Sequence, residues 1–241
     1  MARLPSKETK GKYVQDTFNS IARNYDLMNT IMTLGLDRSW RRLTVKRSKL
    51  GAGGKGLDIC CGTGMLTMEQ ARAAGPKGEI VGLDFSENML AVAEKNVIRF
   101  NLQDTITFVQ GDAMNLPFEN DKFDCATVGW GLRNVPDILT VVREMVRVVK
   151  PGGKVVSLDM AQPTLPVFKQ IYWLCFQKVI PALGKVFSGN KKAYNYLHDS
   201  ARDFINQKEL AMIFSEAGLV DVGYKNLLAG VVAIVDGRKP G

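Results

Sequence analysis

The run Gly56-Leu57-Asp58-Ile59-Cys60-Cys61-Gly62-Thr63-Gly64, followed by Val81-Gly82-Leu83-Asp84, constrains the fold more than any other feature of this chain. A short apolar run enters a glycine turn, a helical stretch follows, and a second apolar run ends on an acid. A doubly wound α/β domain builds an adenosine-ligand site in that order. Gly62 and Gly64 tolerate positive φ and carry no Cβ, so the backbone can turn sharply and offer its N–H groups to a ligand. Asp84, at the C-terminal end of its strand, is placed to accept the hydroxyl hydrogens of a ribose. The glycine register separates the candidate cofactors. A dinucleotide turn needs a third glycine three residues after the second, and Thr67 stands there. Asp58, four residues before the first glycine, has no part in the dinucleotide pattern either.

From Lys55 onward, short apolar runs alternate with longer stretches of helical period, the mark of a largely parallel sheet flanked by helices. Strands are expected near 56–60, 79–84, 106–110, 124–129, 154–159, 221–227 and 230–236, and helices near 65–74, 87–100, 137–149 and 207–217. Ser86 and Asp137 are candidate N-caps. The last two strands read as a hairpin through Leu228-Ala229-Gly230 that leaves one antiparallel strand at the sheet's edge. Ahead of the sheet, residues 1–12 read as polar and frayed, and helices near Tyr13–Asn24, Leu27–Leu34 and Arg38–Leu50 form a cap over 1–54. One domain accounts for all 241 residues: this cap, a cofactor-binding core over 55–164, a helical insertion over 165–193, and a C-terminal helix and hairpin over 194–241. The insertion, rich in Phe168, Tyr172, Trp173 and Phe176, reads either as an ordinary packed helix or as a greasy lid over a large apolar substrate.

Composition narrows the chemistry. The cysteines at 60, 61, 125 and 175 have no ligand-like spacing, and His198 is the sole histidine, so neither a metal site nor a hydrolase triad is expected. No run of 18 apolar residues occurs, and the N-terminus lacks the apolar centre of a signal peptide, which predicts a cytoplasmic protein. Net charge is +8, and residues 1–50 carry most of it, with 11 Lys plus Arg against 4 Asp plus Glu. Such a basic segment suits nucleic acid, an anionic membrane face, or simple solvation. No RNA-binding module or aromatic platform accompanies it, so no nucleic acid is expected.

The spacing of Asp58, Gly62 and Gly64 resembles the first motif of class I S-adenosylmethionine-dependent methyltransferases, with Rossmann-like architecture. Phe108–Ala113, Phe123–Val128 and Arg147–Lys154 fall where that family carries its later motifs. Phe18 to Asn29, then Gly35, Arg38 and Trp40, with Gly131-Leu132-Arg133-Asn134-Val135 and Tyr194–Ser200, are more specific. They resemble the menaquinone and ubiquinone biosynthesis C-methyltransferases over nearly the whole chain. The departures are Thr33 for serine, Asp37 for histidine, Asp159 and Ala161 for glutamate and serine, Gly129 for serine in some members, and Ile205 or Asn206 for proline.

This resemblance implies a seven-stranded class I methyltransferase sheet with S-adenosyl-L-methionine as cofactor, bound by Asp58, Gly62, Thr63, Gly64, Asp84, Asp112, Ala113 and Gly129. It implies methyl transfer to a ring carbon of a polyprenylated quinol. Demethylmenaquinol is the expected acceptor, since the run from Gly131 to Asp137 looks more like the naphthoquinol branch; a ubiquinone-pathway benzoquinol and a donor-binding scaffold are the alternatives. A phenol with pKa near 10 costs roughly 4 kcal/mol to ionise at neutral pH, so a cation beside it is useful. Arg133 is assigned to the developing phenolate and Asn134 to its orientation, the alternative for Arg133 being a salt bridge to the cap. Tyr25 and Asp26, read as part of a turn between two helices, are assigned to the methionine end and to a proton, helix capping being the alternative for Asp26. His198 reads as a surface residue. Partners are the quinol and, through the basic segment, a peripheral contact with an anionic membrane; a homodimer is compatible with the sequence.

Overall fold

The computed structural model describes residues 7–22, 25–163, 196 and 199–241. The expected lid, Cys175 and His198 therefore lie outside the described residues. Three helices, α1 (Lys7–Ile21), α2 (Tyr25–Met32) and α3 (Leu36–Ser48), precede the sheet. Next come β1 (Lys55–Ile59), α4 (Met65–Ala74), β2 (Glu79–Asp84), α5 (Glu87–Arg99) and β3 (Ile106–Gln110). Then follow β4 (Phe123–Gly129), a 3-10 turn at Leu132–Asn134, α6 (Ile138–Val148) and β5 (Val149–Met160). The described chain closes with α7 (Gln207–Glu216), β6 (Val220–Leu227) and β7 (Val232–Arg238).

Seven strands form one sheet in the order β3-β2-β1-β4-β5-β7-β6. β1 pairs in parallel with β2 on one side and β4 on the other, so the strand order reverses beside β1. Ligands of open α/β sheets bind at the carboxyl ends of strands flanking such a reversal. Register sharpens the placement: Ile59 lies opposite both Leu83 and Val128, so the next residues, Cys60, Asp84 and Gly129, reach the same rim.

Local chemistry explains the elements. Leu57, Ile59, Ala126, Val128, Val155 and Val156 are fully buried, as parallel strands covered on both faces require. α6 turns Val141, Val142, Met145 and Val148 to the core, at helical spacing. Ser86 and Asp137 cap α5 and α6 by accepting from Met89 N and Thr140 N, as expected. Asn206 begins α7 with a capping box completed by Glu209.

Four expectations need correction. α1 starts at Lys7, within the stretch read as frayed, because its helical pattern extends upstream of Tyr13. Tyr25 to Asn29 are not a turn but the opening of α2. β5 begins at Val149, since the Pro-Gly-Gly segment stays in the sheet through a register shift against β4. The antiparallel strand is the inner β7, paired to both β5 and β6, and not the edge strand. Among the described residues, no helix is long and apolar enough to cross a membrane.

Candidate functional site

Two adjoining cavities open at the rim, sharing Tyr25, Cys60, Gly62, Gly129 and Trp130 as walls. The first, of about 170 Å³, has apolar walls from Phe18, Leu83, Met89 and Ala113, with Asp84, Asp112 and Asn134 as polar points. The second is smaller and more charged, with Asp26, Arg41, Asp58 and Thr63 among its walls. Gly62 and Gly64 hold φ of +55 and +80, so the turn between β1 and α4 does require glycine. A Cβ on Gly131 would meet Cys60 Cβ at 2.6 Å, which shows how closely the two rim turns approach.

The acids differ in how they are held. Asp84 accepts from Gly62 N and Ser86 N, both at 2.8 Å, so it locks the glycine turn while lining the first cavity. Burial raises its pKa, against the pull of those two N–H groups. Asp58 is wholly buried and accepts from Thr67 Oγ1 and Thr127 Oγ1, each at 2.7 Å. Burial outweighs both hydroxyls and pushes its pKa up to about 7. Thr67, the residue that breaks the dinucleotide pattern, thus has a positive role: from the first turn of α4 it reaches back to Asp58. Gln70 completes the chain by donating to Thr127 at 2.8 Å. Asp112 is exposed and accepts from Met114 N, with buried Ala113 beside it.

Asp26 accepts from Thr63 Oγ1 at 2.5 Å and from Asn96 Nδ2 at 3.4 Å, which ties α2 to the glycine turn and to α5. Burial raises its pKa, with Thr63 opposing. Tyr25 packs edge-on against Phe18, and burial raises its phenol while the charge of Arg133 draws it back down. Asn134 donates to Trp130 O at 3.1 Å and accepts from Tyr196 Oη at 3.1 Å, so its amide is fixed at the first cavity's wall.

Arg133 is placed otherwise than the sequence suggested. It lines neither of those two cavities but a third one, with Lys10, Tyr196 and Ser200. Its Nη1 pairs at 2.8 Å with Asp159 on β5, both side chains being buried, so its salt bridge runs to the sheet and not to the cap. Its Nε is buried and has no partner. Asp159 had drawn notice only as a departure from the family pattern; as the counter-ion of Arg133 it is a site residue that sequence reasoning missed. Arg41, Thr67, Thr127 and Trp130 were missed likewise, because nothing local marks them. Burial lifts Cys60 and Cys61 well above the ordinary thiol range, so both stay neutral.

The walls suit an adenosyl amino acid. A flat apolar slot with one carboxylate at a strand end matches an adenosine, and a narrow neighbour with opposite charges matches an α-amino acid. The strand order, the glycine turn after β1 and the acid ending β2 together define a class I methyltransferase domain. The chain belongs to the ubiE/COQ5 methyltransferase family, whose model matches residues 6–239. It is 57% identical to the demethylmenaquinone methyltransferase of Desulfitobacterium hafniense over 98% of this chain and 93% of that protein. Against the Bacillus subtilis enzyme of the same description, identity is 46% over 97% of this chain and 100% of the other. Two solved structures share the fold at low identity. A SAM-dependent methyltransferase from Aquifex aeolicus superposes with TM-score 0.62 at 17% identity, covering 82% of this chain and 88% of that one. A SAM-dependent methyltransferase from Thermotoga maritima, described as a possible histamine N-methyltransferase, gives 0.64 at 19%, covering 94% and 99%.

Proposed function

We propose that this protein transfers a methyl group from S-adenosyl-L-methionine to the ring carbon of demethylmenaquinol, giving menaquinol. Near-full-length similarity to demethylmenaquinone methyltransferases is the observation that carries the reading. The cavities support it. Asp84 takes the ribose hydroxyls with the lone pairs its backbone donors leave; Asp112 and Ala113 lie against the adenine. Gly62, Gly64 and Gly129 leave room for the ligand, while Asp58 and Thr63 face the methionine end. When bound, the donor supplies an electrophilic methyl group on sulfur.

The chain's own part is alignment and charge. Tyr25 and Asn134 wall the space where the acceptor ring meets the donor, which converts a two-body encounter into an oriented one. Arg133 sits one residue from Asn134 and acts on an acceptor oxygen as it becomes anionic. Its buried, unpartnered Nε is the donor such an oxygen would satisfy. Asp26, raised by burial, is placed to receive a proton directly or through water. The membrane contact fits α3, whose outer face exposes Arg38, Arg42 and Lys46 with no acid among its exposed residues. A peripheral position at an anionic leaflet brings the site to a prenylated acceptor, and a homodimer is compatible with this arrangement.

The test is methyl transfer from labelled S-adenosyl-L-methionine to short-chain demethylmenaquinol by the isolated protein. The product expected is the ring-methylated naphthoquinol. Donor binding without transfer to any quinol would leave a scaffold and refute the proposal, and faster turnover of a benzoquinol would reassign the acceptor.

A further inference from the structure

The second cavity holds an imbalance that the catalytic reading leaves unused. Among its described walls Arg41 is the only cation, facing the carboxylates of Asp26 and Asp58. Arg41 projects from α3 and is 5% exposed, an unusual degree of burial for a guanidinium. Its Nη2 donates to Asp37 Oδ2 at 2.6 Å, one helical turn earlier, and Asp37 is steadied by the Thr33 hydroxyl at 3.1 Å. Asp37 and Thr33 are two of the positions where this chain departs from the family pattern. Among the described residues, Nε and Nη1 of Arg41 meet no acceptor.

An α-amino acid carries ammonium and carboxylate on one carbon, so a cavity that receives it must present both signs of charge side by side. Asp58, at the methionine end, serves the ammonium. Without Arg41 the ligand's carboxylate would confront Asp26 and Asp58 with no cation among the described walls to offset them. A guanidinium fork presents paired N–H groups to a carboxylate, and Asp37 holds the fork by one end while leaving the other free. We propose that Arg41 anchors the carboxylate of the methyl donor's amino-acid end, and that Asp37 positions it for that contact. The inference rests on the donor assignment above and adds to it the residue that reads the amino-acid terminus.

Calorimetric titration of the full chain with S-adenosyl-L-methionine and with its decarboxylated analogue tests this. Removing a charge-assisted pair in Arg41→Met weakens the natural donor about 100-fold while the decarboxylated analogue changes by less than about 3-fold. Arg41→Lys, which keeps the charge but not the fork, falls between. Because Arg41→Met strands the Asp37 carboxylate, the double variant Asp37→Asn with Arg41→Met is measured alongside and shows the same selective loss. Equal weakening of both ligands, or no weakening of either, overturns the role of Arg41. A wild-type chain that binds neither ligand overturns the donor assignment instead, so the two failures are told apart.

Discussion

Asp58 offers a stability measurement that reports directly on the cofactor turn. The carboxyl has no exposed surface, sits between two threonine hydroxyls, and titrates near 7 in place of 3.8 because burial disfavours its charge. A raised folded-state pKa means that the native protein keeps a proton the unfolded chain has already released. Its stabilising effect is therefore complete below about pH 4 and is lost as pH rises towards and through 7. At 1.36 kcal/mol per pH unit, the interval of about three units amounts to about 4 kcal/mol. Asp58→Asn preserves shape and can still bond both threonines, whose hydroxyls donate or accept, but it does not titrate. In the ligand-free protein the variant is expected to gain on wild type steadily between pH 4 and 7. Above pH 7 the gain levels off at about 4 kcal/mol, or roughly 10 °C in melting temperature. Urea unfolding followed by circular dichroism at half-unit pH steps reads this difference, in which the other titrating groups cancel. Curves that stay parallel across the range would show that Asp58 ionises normally in the fold and would refute the argument. If this carboxylate serves the donor's ammonium, as proposed above, S-adenosyl-L-methionine binding at pH 6 releases protons from wild type, and from the variant fewer, with weaker affinity.

Three further outcomes follow from the geometry. Arg133→Met leaves Asp159 charged and buried without its partner, at a cost of about 3–5 kcal/mol by denaturant unfolding; adding Asp159→Leu recovers most of that stability but not methyl transfer, whereas recovered turnover would deny Arg133 a part in the chemistry. Gly131→Ala forces a Cβ into Cys60 and Val128, so about 1–3 kcal/mol of stability is lost and the turn carrying Asn134 shifts; an unchanged melting temperature would contradict the close approach of the two rim turns. Asn206→Ala removes the side-chain oxygen that accepts from Lys208 N and Glu209 N at the start of α7 and is expected to cost about 1 kcal/mol with donor affinity unchanged, the measurement being thermal unfolding beside a binding titration.

Much of the sheet was legible in advance. The bounds expected for β2 and β3 match those observed, as do those of α4, and Ser86 and Asp137 cap the helices expected of them. Period and capping are local properties, so a local reading captures them. The N-terminal cap was less legible because Lys10 and Gly11 interrupt the apolar period of a helix whose contacts run to α5 and the 3-10 turn at Leu132–Asn134. Tyr25–Asn29 looked like a turn for the same reason. The glycine turn and Asp84 could be placed because φ and strand ends are local. Arg133 and Asn134 could be named but not oriented, since the partner Asp159 lies 26 residues away in sequence and Tyr196 lies 62.

What the amino-acid order determined unaided is the alternation of elements, the sharp bend at Gly62 and Gly64, and the presence of acids at strand ends. These depend on backbone conformation and side-chain period over a few residues. Tertiary structure alone decided what those acids do. Parallel pairing set Thr127 beside Asp58 across 69 residues, and folding of α2 onto the turn brought Asp26 to Thr63 across 37. Packing of α3 on the sheet sank Arg41 into a cavity whose other charged walls, among the described residues, are Asp26 and Asp58. Each of those meetings is fixed by strand register and helix packing, which emerge only when the whole sheet has assembled, and they convert ordinary threonines, acids and arginines into a site.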